Sequence, residues 1–374
     1  MRFWGVLITG MIIGAIVGII YLIFRIHRFS FIGKIARKSK ILAWLASVGI
    51  LAVIVVPFLI GSTMSGVVVL LHMLVITLIC DLVGLIANKC MKRQKTERYY
   101  AGAVAAVISF LVLAIGAFNA RHVRITRYEL ETSKNVGDGI RVAALADSHL
   151  GYTLSGEKFA REMEKLQEYE PDMLFIVGDF VDDSSTKEDM MAAVEALGKL
   201  KTRYGIYYVR GNHDRGYYST RGFSYNDMYI QLRKNGVTIL EDKLAEITLD
   251  DTGSSEPAVI TIVGRKDRSD SGRKKASEIM AGVAEGSYSI MLDHQPNDYA
   301  QEAEAGPDLV LSGHTHGGQL FPANIVGLAI GANDRNYGHE RRENTDFIVT
   351  SGIAEWAIPF KTCTYSEIIL VDIR

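Results

Sequence analysis

Cysteine is scarce in this chain of 374 residues, which contains Cys80, Cys90 and Cys363. They are far apart and form no CxxC pair, so neither a disulfide framework nor a cysteine-based metal site is expected. The chain also lacks an excess of charge of one sign, since its formal net charge is −1. The composition therefore gives no reason to expect nucleic acid as a partner.

Long apolar runs, in contrast, fill the first third of the chain. A helix of about 20 apolar residues crosses a hydrocarbon core of about 30 Å. Four runs are long enough: Trp4–Phe24, Ile41–Ile60, Val67–Ala87 and Ala101–Ala120. The first is too long for a signal peptide, so we expect it to be retained. The sequence predicts four transmembrane helices over residues 1–120, a linker over 121–139 and a second domain over 140–374.

The connections between these runs predict their orientation, because Lys and Arg stay on the cytoplasmic side during insertion. The connections after the first and third runs are rich in both residues, whereas residues 61–66 contain neither. The N-terminus and the second domain should therefore lie on the extracytoplasmic face. Arg121, Arg124 and Arg127 argue against this orientation, although large domains translocate largely regardless of such charges.

Two polar residues of the third run, His72 and Asp81, suggest transport as an alternative function, because polar groups at membrane depth are often functional. Both lie towards the ends of the run. We expect no second intramembrane charge to act as a partner for Asp81. The sequence therefore predicts that the four helices anchor the chain.

After the apolar third, short apolar runs typical of buried strands alternate with helical patterns. The helical patterns cover 159–169 and 189–200, with apolar residues at three- and four-residue spacing. The order of elements predicts an α/β fold with helices covering layered sheets. The predicted strands are 140–146, 173–177, 206–209, 259–263, 289–292, 309–311, 347–350 and 368–371.

Five of these predicted strands are followed directly by histidine, aspartate, asparagine and glycine. In open α/β sheets, ligands bind beyond the carboxyl ends of the strands. A lone histidine is more often structural than a ligand, but five of the nine histidines lie in these positions. The sequence therefore predicts one metal site built from five loops. The motifs are DSH at 147–149, GD at 178–179, GNHD at 211–214, DH at 293–294 and GHTHGGQ at 313–319.

This ordered series of motifs resembles the calcineurin-like metallophosphoesterase superfamily, in particular its membrane-associated bacterial branch typified by YkuE. The resemblance covers about residues 141–374 and does not extend to the apolar runs. It implies a β-sandwich flanked by helices and two bound divalent ions. By motif, it implies one ion on Asp147, His149 and His316, a second on Asn212, His294 and His314, and Asp179 as the bridge.

The resemblance also implies that His213 is a catalytic residue near the leaving group, with Asp214 orienting it. A loop cap is an equally good interpretation of Asp214. Asp182 and Asp183 follow the bridging residue closely, so they are candidates to support a ligand from behind or to contact the substrate, and a solvated loop is the preferred interpretation. Arg210 and Lys361 are candidate phosphate contacts, and Lys361 stands where relatives often have arginine. The aromatic segment fits a lid, a lipid-facing lip or local packing about equally well; its residues are Tyr217, Tyr218, Phe223, Tyr225 and Tyr229.

The predicted chemistry follows from the charge of a phosphodiester, which repels hydroxide. Two divalent ions about 3.5–4 Å apart neutralise that charge and lower the pKa of a bound water. Imidazole and carboxylate ligands suit Mn²⁺, Zn²⁺ or Fe, and we expect Mn²⁺ first.

The predicted function is therefore a membrane-anchored phosphoesterase that acts on diesters by attack of metal-activated hydroxide, with a lipid or cell-envelope substrate suited to the anchor. The alternative is a membrane-tethered protein that binds a phosphorylated ligand without turnover. Intact Asp179 and His213 argue against this alternative, because a binding protein has no need of the complete set.

Overall fold

The computed structural model describes residues 2–91, 98–217, 221–250, 257–329 and 331–374. Tyr218 and the basic residues between 92 and 97, on which two of the predictions partly rest, lie outside these ranges. The chain divides into two compact units, Met1–Ile115 and Gly116–Arg374.

The first unit consists of helices. Its elements are α1 (Arg2–His27), α2 (Ser30–Ala36), α3 (Lys40–Gly61), α4 (Thr63–Cys90) and α5 (Tyr100–Asn119), and the last residues of α5 belong to the second unit. Helices α3, α4 and α5 are long and apolar enough to cross a membrane. Residues Ile13–His27 and α2 form a pair bent by 80° that qualifies as a fourth span. The described part of the N-terminal region therefore contains three or four apolar helices, where four were predicted.

Asp81 of α4 has a charged partner, so the prediction that it lacks one is wrong. Its carboxylate lies 2.7 Å from Nε of Arg25. The hydroxyls of Tyr21 and Tyr99 donate to the same carboxylate at 2.6 and 2.7 Å. The sequence prediction ended the first span at Phe24, which placed Arg25 in a loop, whereas α1 continues to His27.

Two six-stranded sheets form the centre of the second unit. The strand order is β1-β12-β2-β3-β4-β5 in the first sheet and β10-β11-β9-β8-β7-β6 in the second. The strands are β1 (Arg124–Leu130), β2 (Ile140–Leu145), β3 (Met173–Val177), β4 (Ile206–Val209), β5 (Val237–Ile239), β6 (Lys243–Thr248), β7 (Val259–Gly264), β8 (Tyr288–Leu292), β9 (Leu309–Ser312), β10 (Gly338–Arg342), β11 (Thr345–Val349) and β12 (Glu367–Ile373).

Parallel pairing dominates both sheets. Strands β2 to β5 are parallel neighbours in the first sheet, and β7, β8, β9 and β11 are parallel neighbours in the second. The inner strands are buried along almost their whole length, as parallel strands covered on both faces are. Their carboxyl ends therefore reach one edge of each sheet together.

Helices cover the outer face of each sheet. One apolar core lies between the sheets and includes Val142, Ile260 and Leu311. A second core joins the first sheet to α6 (Gly156–Gln167), α7 (Lys187–Lys199) and α8 (Tyr225–Lys234), and a third joins the second sheet to α9 (Ala276–Met280) and α10 (Tyr299–Ala305). A short α11 (Ala323–Ala329) follows the last histidine motif. The predicted fold of layered sheets flanked by helices is confirmed.

Residues 121–139, predicted as a linker, contain β1. This strand pairs in parallel with β12, with Ile125 opposite Ile368. It is an edge strand in which charged and polar residues are interspersed with apolar ones, so its sequence lacks the continuous apolar run that identified the inner strands.

Candidate metal centre

The loops after five strands meet at one edge of the two sheets. Strands β2, β3 and β4 of the first sheet lead into the DSH, GD and GNHD motifs, and β8 and β9 of the second lead into DH and GHTHGGQ. The two sheets are joined here, because the backbone N–H of His314 donates to both carboxylate oxygens of Asp147 at 3.0 and 2.9 Å. The structure thus brings the predicted motifs together.

The first cluster consists of Asp147, His149 and His316. One potential ligand atom from each lies within 4.8 Å of the others, and all three residues are buried. Nε2 of His316 is 4.0 Å from Oδ1 of Asp147, and the imidazole centroids of His149 and His316 are 5.1 Å apart. This spacing suits a cation between the three side chains.

The second cluster consists of Asp179, His294 and His314, whose potential ligand atoms also lie within 4.8 Å of one another. Oδ2 of Asp179 is 3.1 Å from Nε2 of His294. The same oxygen is 3.8 Å from Nε2 of His149, which belongs to the first cluster. Asp179 therefore lies between the two clusters.

Several buried polar atoms at this edge have no hydrogen-bond partner among the described residues. They include Nε2 of His149 and Oδ1 of Asn212. A buried donor or acceptor left unpaired costs about 1–3 kcal/mol, so such atoms are rare unless an ion or water satisfies them. Both are atom types that bind divalent ions, and the donor set therefore fits a metal.

The charges of Asp179 and His294 stabilise each other. Burial alone would raise the pKa of Asp179, but the charge of His294 holds it below its ordinary value. Burial opposes the charged form of His294 as well, and Asp179 nevertheless raises the pKa of His294 well above its usual value. Burial raises the pKa of Asp147 to about 6. Burial therefore disfavours charge on these side chains, and a close opposite charge offsets it at Asp179 and His294.

Contacts behind the clusters orient the imidazole rings. Nδ1 of His294 lies 2.8 Å from the carbonyl oxygen of Val177, and Nδ1 of His316 lies 3.2 Å from that of Ala354. A carbonyl can only accept, so each Nδ1 carries a hydrogen, and in the neutral imidazole that binds a metal the lone pair is on Nε2, which faces the site.

Asp182 also contacts a ring from behind, since its carboxylate lies 3.2 Å from Nδ1 of His149. Asp182 is buried, so the expectation that it lies in a solvated loop is wrong.

The backbone is strained at five of the predicted ligands. Positive φ angles of 55°, 35°, 51°, 70° and 50° occur at Asp147, His149, Asp179, His314 and His316. Residues other than glycine adopt such angles at a cost of about 1–3 kcal/mol each, and they cluster at functional sites. A close approach adds a further constraint at Gly211, where a Cβ atom would lie 2.2 Å from Oδ1 of Asp179.

The carboxylate of Asp214 joins two of the loops. It accepts hydrogen bonds from the backbone N–H groups of Asp179, Val181 and Gly211 at 2.9, 3.0 and 2.7 Å. These bonds do not involve the imidazole of His213, so the structure does not support Asp214 as the residue that orients it. The alternative interpretation of Asp214 as a cap fits these contacts.

His213 lies beside both clusters and is half-buried. Its backbone N–H donates to Oδ1 of Asp179 at 2.7 Å. Its ring centroid is 5.1 Å from that of His149 and 5.0 Å from that of Trp356. The ring therefore lies between the buried clusters and an exposed aromatic side chain.

Lys361 and Arg210, the candidate phosphate contacts, are both buried and paired with carboxylates. Nζ of Lys361 lies 2.6 Å from Oε1 of Glu355, and Oε2 of Glu355 is 3.7 Å from Nδ1 of His316. Nε of Arg210 lies 3.4 Å from Oε1 of Glu241. Sequence reasoning did not single out Glu355, because no motif surrounds it. These contacts give both basic residues a structural role.

Comparison with known proteins identifies the part of the chain that contains the two clusters. Residues 140–318 match the family model of the calcineurin-like phosphoesterases. A transmembrane protein with metallophosphoesterase domain from Danio rerio is 32% identical over 278 residues, which cover 71% of this chain and 61% of the relative. The chain thus spans about three fifths of that relative's length.

Two bacterial proteins are also similar. The metallophosphoesterase YkuE of Bacillus subtilis is 25% identical over 76% of this chain and 99% of its own length. A metallophosphoesterase of Campylobacter jejuni is 28% identical over 80% of this chain and 77% of its own length. None of these names specifies a substrate.

Proposed function

Because residues 140–318 belong to the calcineurin-like phosphoesterase family, we propose that the second unit hydrolyses phosphoesters with two divalent cations held by the two clusters. The observation that carries this proposal is the position of Asp179. One of its carboxylate oxygens lies within 4 Å of a histidine from each cluster, at 3.1 and 3.8 Å. A carboxylate in this position can bind two cations at once.

The ligands that we assign follow the two clusters. Asp147, His149 and His316 would hold one ion, and His294, His314 and Asn212 would hold the other, with Asp179 between them. When bound, such ions supply positive charge for the phosphate and lower the pKa of bound water. Nitrogen and oxygen ligands suit Mn²⁺, Zn²⁺ or Fe, and Mn²⁺ is the ion that we would test first.

His213 is the residue that we propose for proton transfer. Its half-buried ring borders the clusters, so a phosphoester bound there would place its leaving oxygen within reach of the imidazole. Protonation of a leaving alkoxide contributes about 10²–10⁴-fold in rate. We propose a preference for phosphodiesters, and an alkoxide that leaves from such a substrate needs this proton.

The proposed location of the second unit is the extracytoplasmic face of the membrane. The support is the positive charge of the connections after the first and third predicted spans. The test is a cysteine at the exposed position Ile230, introduced into a chain without its native cysteines. Labelling of Ile230→Cys in intact cells by a membrane-impermeant maleimide supports this location, and labelling only after lysis excludes it.

The activity test uses the full chain in lipid nanodiscs. We expect hydrolysis of bis(p-nitrophenyl) phosphate when Mn²⁺ is added, loss of this activity with a chelator, and slower hydrolysis of p-nitrophenyl phosphate. A membrane-tethered protein that only binds a phosphorylated ligand would take up Mn²⁺ without releasing p-nitrophenol from either compound. That result would exclude the proposed enzymatic activity and favour a membrane-tethered binding protein instead.

A further inference from the structure

Four large apolar side chains are exposed near the proposed metal centre. We call them the apolar rim: Phe321, Ile325, Leu328 and Trp356, which are between 40% and 58% exposed. Trp356 connects this rim to the site, because its ring centroid is 5.0 Å from that of His213. Ile325 and Leu328 are three residues apart on α11 and therefore lie on one face of that helix.

Hydrogen bonds hold the two segments of the rim together. Backbone N–H of Phe321 donates to Oγ1 of Thr362 at 3.0 Å, and backbone N–H of Thr362 donates to the carbonyl of Gln319 at 2.9 Å. The side chain of Gln319 donates to the carbonyl of Ile358 at 3.0 Å. The loop of residues 356–362 and the segment that leads into α11 therefore form one connected surface.

The same loop is bonded to the last turn of α5. Backbone N–H of Lys361 donates to the carbonyl of Gly116 at 2.9 Å, and Arg121 donates to the carbonyl of Pro359 at 3.4 Å. The approach is close, since a Cβ atom on Gly116 would lie 2.8 Å from Cγ2 of Thr362. All of these residues belong to the second unit.

The end of α5 indicates what covers the rim. Helix α5 is long and apolar enough to cross a membrane, and such a helix ends at the interface between hydrocarbon and water. If α5 spans the membrane, the loop bonded to its end is near that interface. Tryptophan is enriched at that interface, and the exposed Arg121 and Arg124 can pair with phosphate groups of lipids. A lipid bilayer therefore fits both the apolar and the basic residues.

We propose that the apolar rim inserts into the interface of the membrane that the chain spans, and that the substrate is a phosphodiester lipid of this membrane. This inference rests on the proposed phosphoesterase function and specifies its substrate class. In the reaction, a water oxygen loses a proton to solvent and forms a bond to phosphorus, and the bond from phosphorus to the leaving oxygen breaks. The leaving oxygen takes a proton from His213, which is protonated again from solvent. The products are a phosphomonoester and an alcohol.

Fluorescence of Trp356 tests the insertion without any need for activity. The full chain has three tryptophans, so Trp4→Phe and Trp44→Phe leave Trp356 as the reporter. In nanodiscs of phosphatidylcholine brominated in its acyl chains, we expect its emission to fall by about half relative to unbrominated lipid. The control replaces Trp356 by Phe and carries Ile230→Trp at an exposed position of α8. If brominated lipid quenches Trp356 no more strongly than it quenches the tryptophan at position 230 of the control, the proposed insertion is wrong.

Two probes with the same leaving group test the substrate class. Ile325→Glu with Leu328→Glu should slow hydrolysis of a phosphatidyl-p-nitrophenol in the nanodisc about tenfold, because charged residues leave the interface. Hydrolysis of soluble bis(p-nitrophenyl) phosphate should not change, and Ile230→Glu should affect neither probe. Equal effects on both probes overturn the lipid substrate. If the wild-type chain hydrolyses neither probe, the phosphoesterase itself is excluded, and the quenching result still decides the insertion.

Discussion

The ammonium group of Lys361 lies 2.6 Å from the carboxylate of Glu355, and neither side chain is exposed to solvent. Nζ of Lys361 also donates to the carbonyl of Gly352 at 3.4 Å. The second oxygen of Glu355 is 3.7 Å from Nδ1 of His316. This ion pair therefore lies directly behind one side of the metal centre, where loss of either charge would affect both packing and the orientation of a ligand.

Replacing Lys361 by Met should destabilise the second unit. Removing one partner of a buried ion pair costs about 3–5 kcal/mol, because the other charge remains buried without compensation. For a unit of this size, the thermal melting midpoint should fall by about 10 °C, measured by intrinsic fluorescence of the full chain in nanodiscs. Lys361→Met with Glu355→Gln should recover part of the loss, and the exposed Lys158→Met serves as the control. An unchanged midpoint in Lys361→Met would contradict a structural role for the pair.

Replacing Asp214 by Ala should also act through stability. Three buried backbone N–H groups would lose their acceptor, at a cost of about 1–3 kcal/mol each. We expect a lower melting midpoint and weaker Mn²⁺ binding, measured by thermal melting and isothermal titration calorimetry. Asp214→Asn, which keeps one acceptor oxygen, should give intermediate values. If Asp214→Ala loses turnover but melts like the wild type, Asp214 acts on His213 after all.

Asp179→Asn should lower the number of bound metal ions. An amide has one oxygen and no charge, so it cannot bridge two cations as a carboxylate can. We expect the manganese content to fall from about two ions per chain to about one, measured by mass spectrometry of the purified protein, with loss of turnover and an unchanged circular dichroism spectrum. Asp138→Asn, at an exposed position, is the matched control. Full activity of Asp179→Asn at equal metal content would disprove the bridging role.

His213→Ala should slow the reaction according to the leaving group. We expect a loss of about 10²–10⁴-fold for a diester with an alkoxide leaving group, because an alkoxide needs a proton to depart. The loss should be much smaller for p-nitrophenolate, which leaves without one. The comparison is of kcat for the two esters, with manganese content as the control for an intact site. Equal losses for both esters would show that His213 does not supply the proton.

The strands that sequence reasoning identified are the inner ones. Strands such as β3, with the sequence MLFIV, and β4, with IYYV, are buried along their whole length and therefore appear as continuous apolar runs. The strands that it did not identify, β1, β5, β6 and β10, form the edges of the two sheets. An edge strand such as β10, with the sequence GHERR, is held by backbone pairing and carries charged side chains, so hydrophobic periodicity does not reveal it.

The candidate ligands could be predicted because each directly follows a buried strand. Asp147 and Asp179 are examples, since the strand before each places its loop at the common edge. The contacts behind them could not be predicted in the same way. Asp182 contacts His149 from 33 residues away in sequence, and Glu355 contacts His316 from 39 residues away, so only the folded chain brings them together. The contacts of Asp214 with the backbone of Asp179 and Val181 are also of this kind, since they join residues 35 and 33 positions apart in sequence.

The position of β12 between β1 and β2 has a consequence for synthesis of the protein. Strand β1 emerges from the ribosome more than 200 residues before β12, and β12 is its neighbour in the sheet. Residues 124–130 must therefore wait, without a pairing partner, until residues 367–373 have been translated. Strands β1 and β2 can therefore join the same sheet only after β12 has been synthesised. If a ribosome stalls shortly before residue 367, the edge of β2 that normally pairs with β12 has no partner strand.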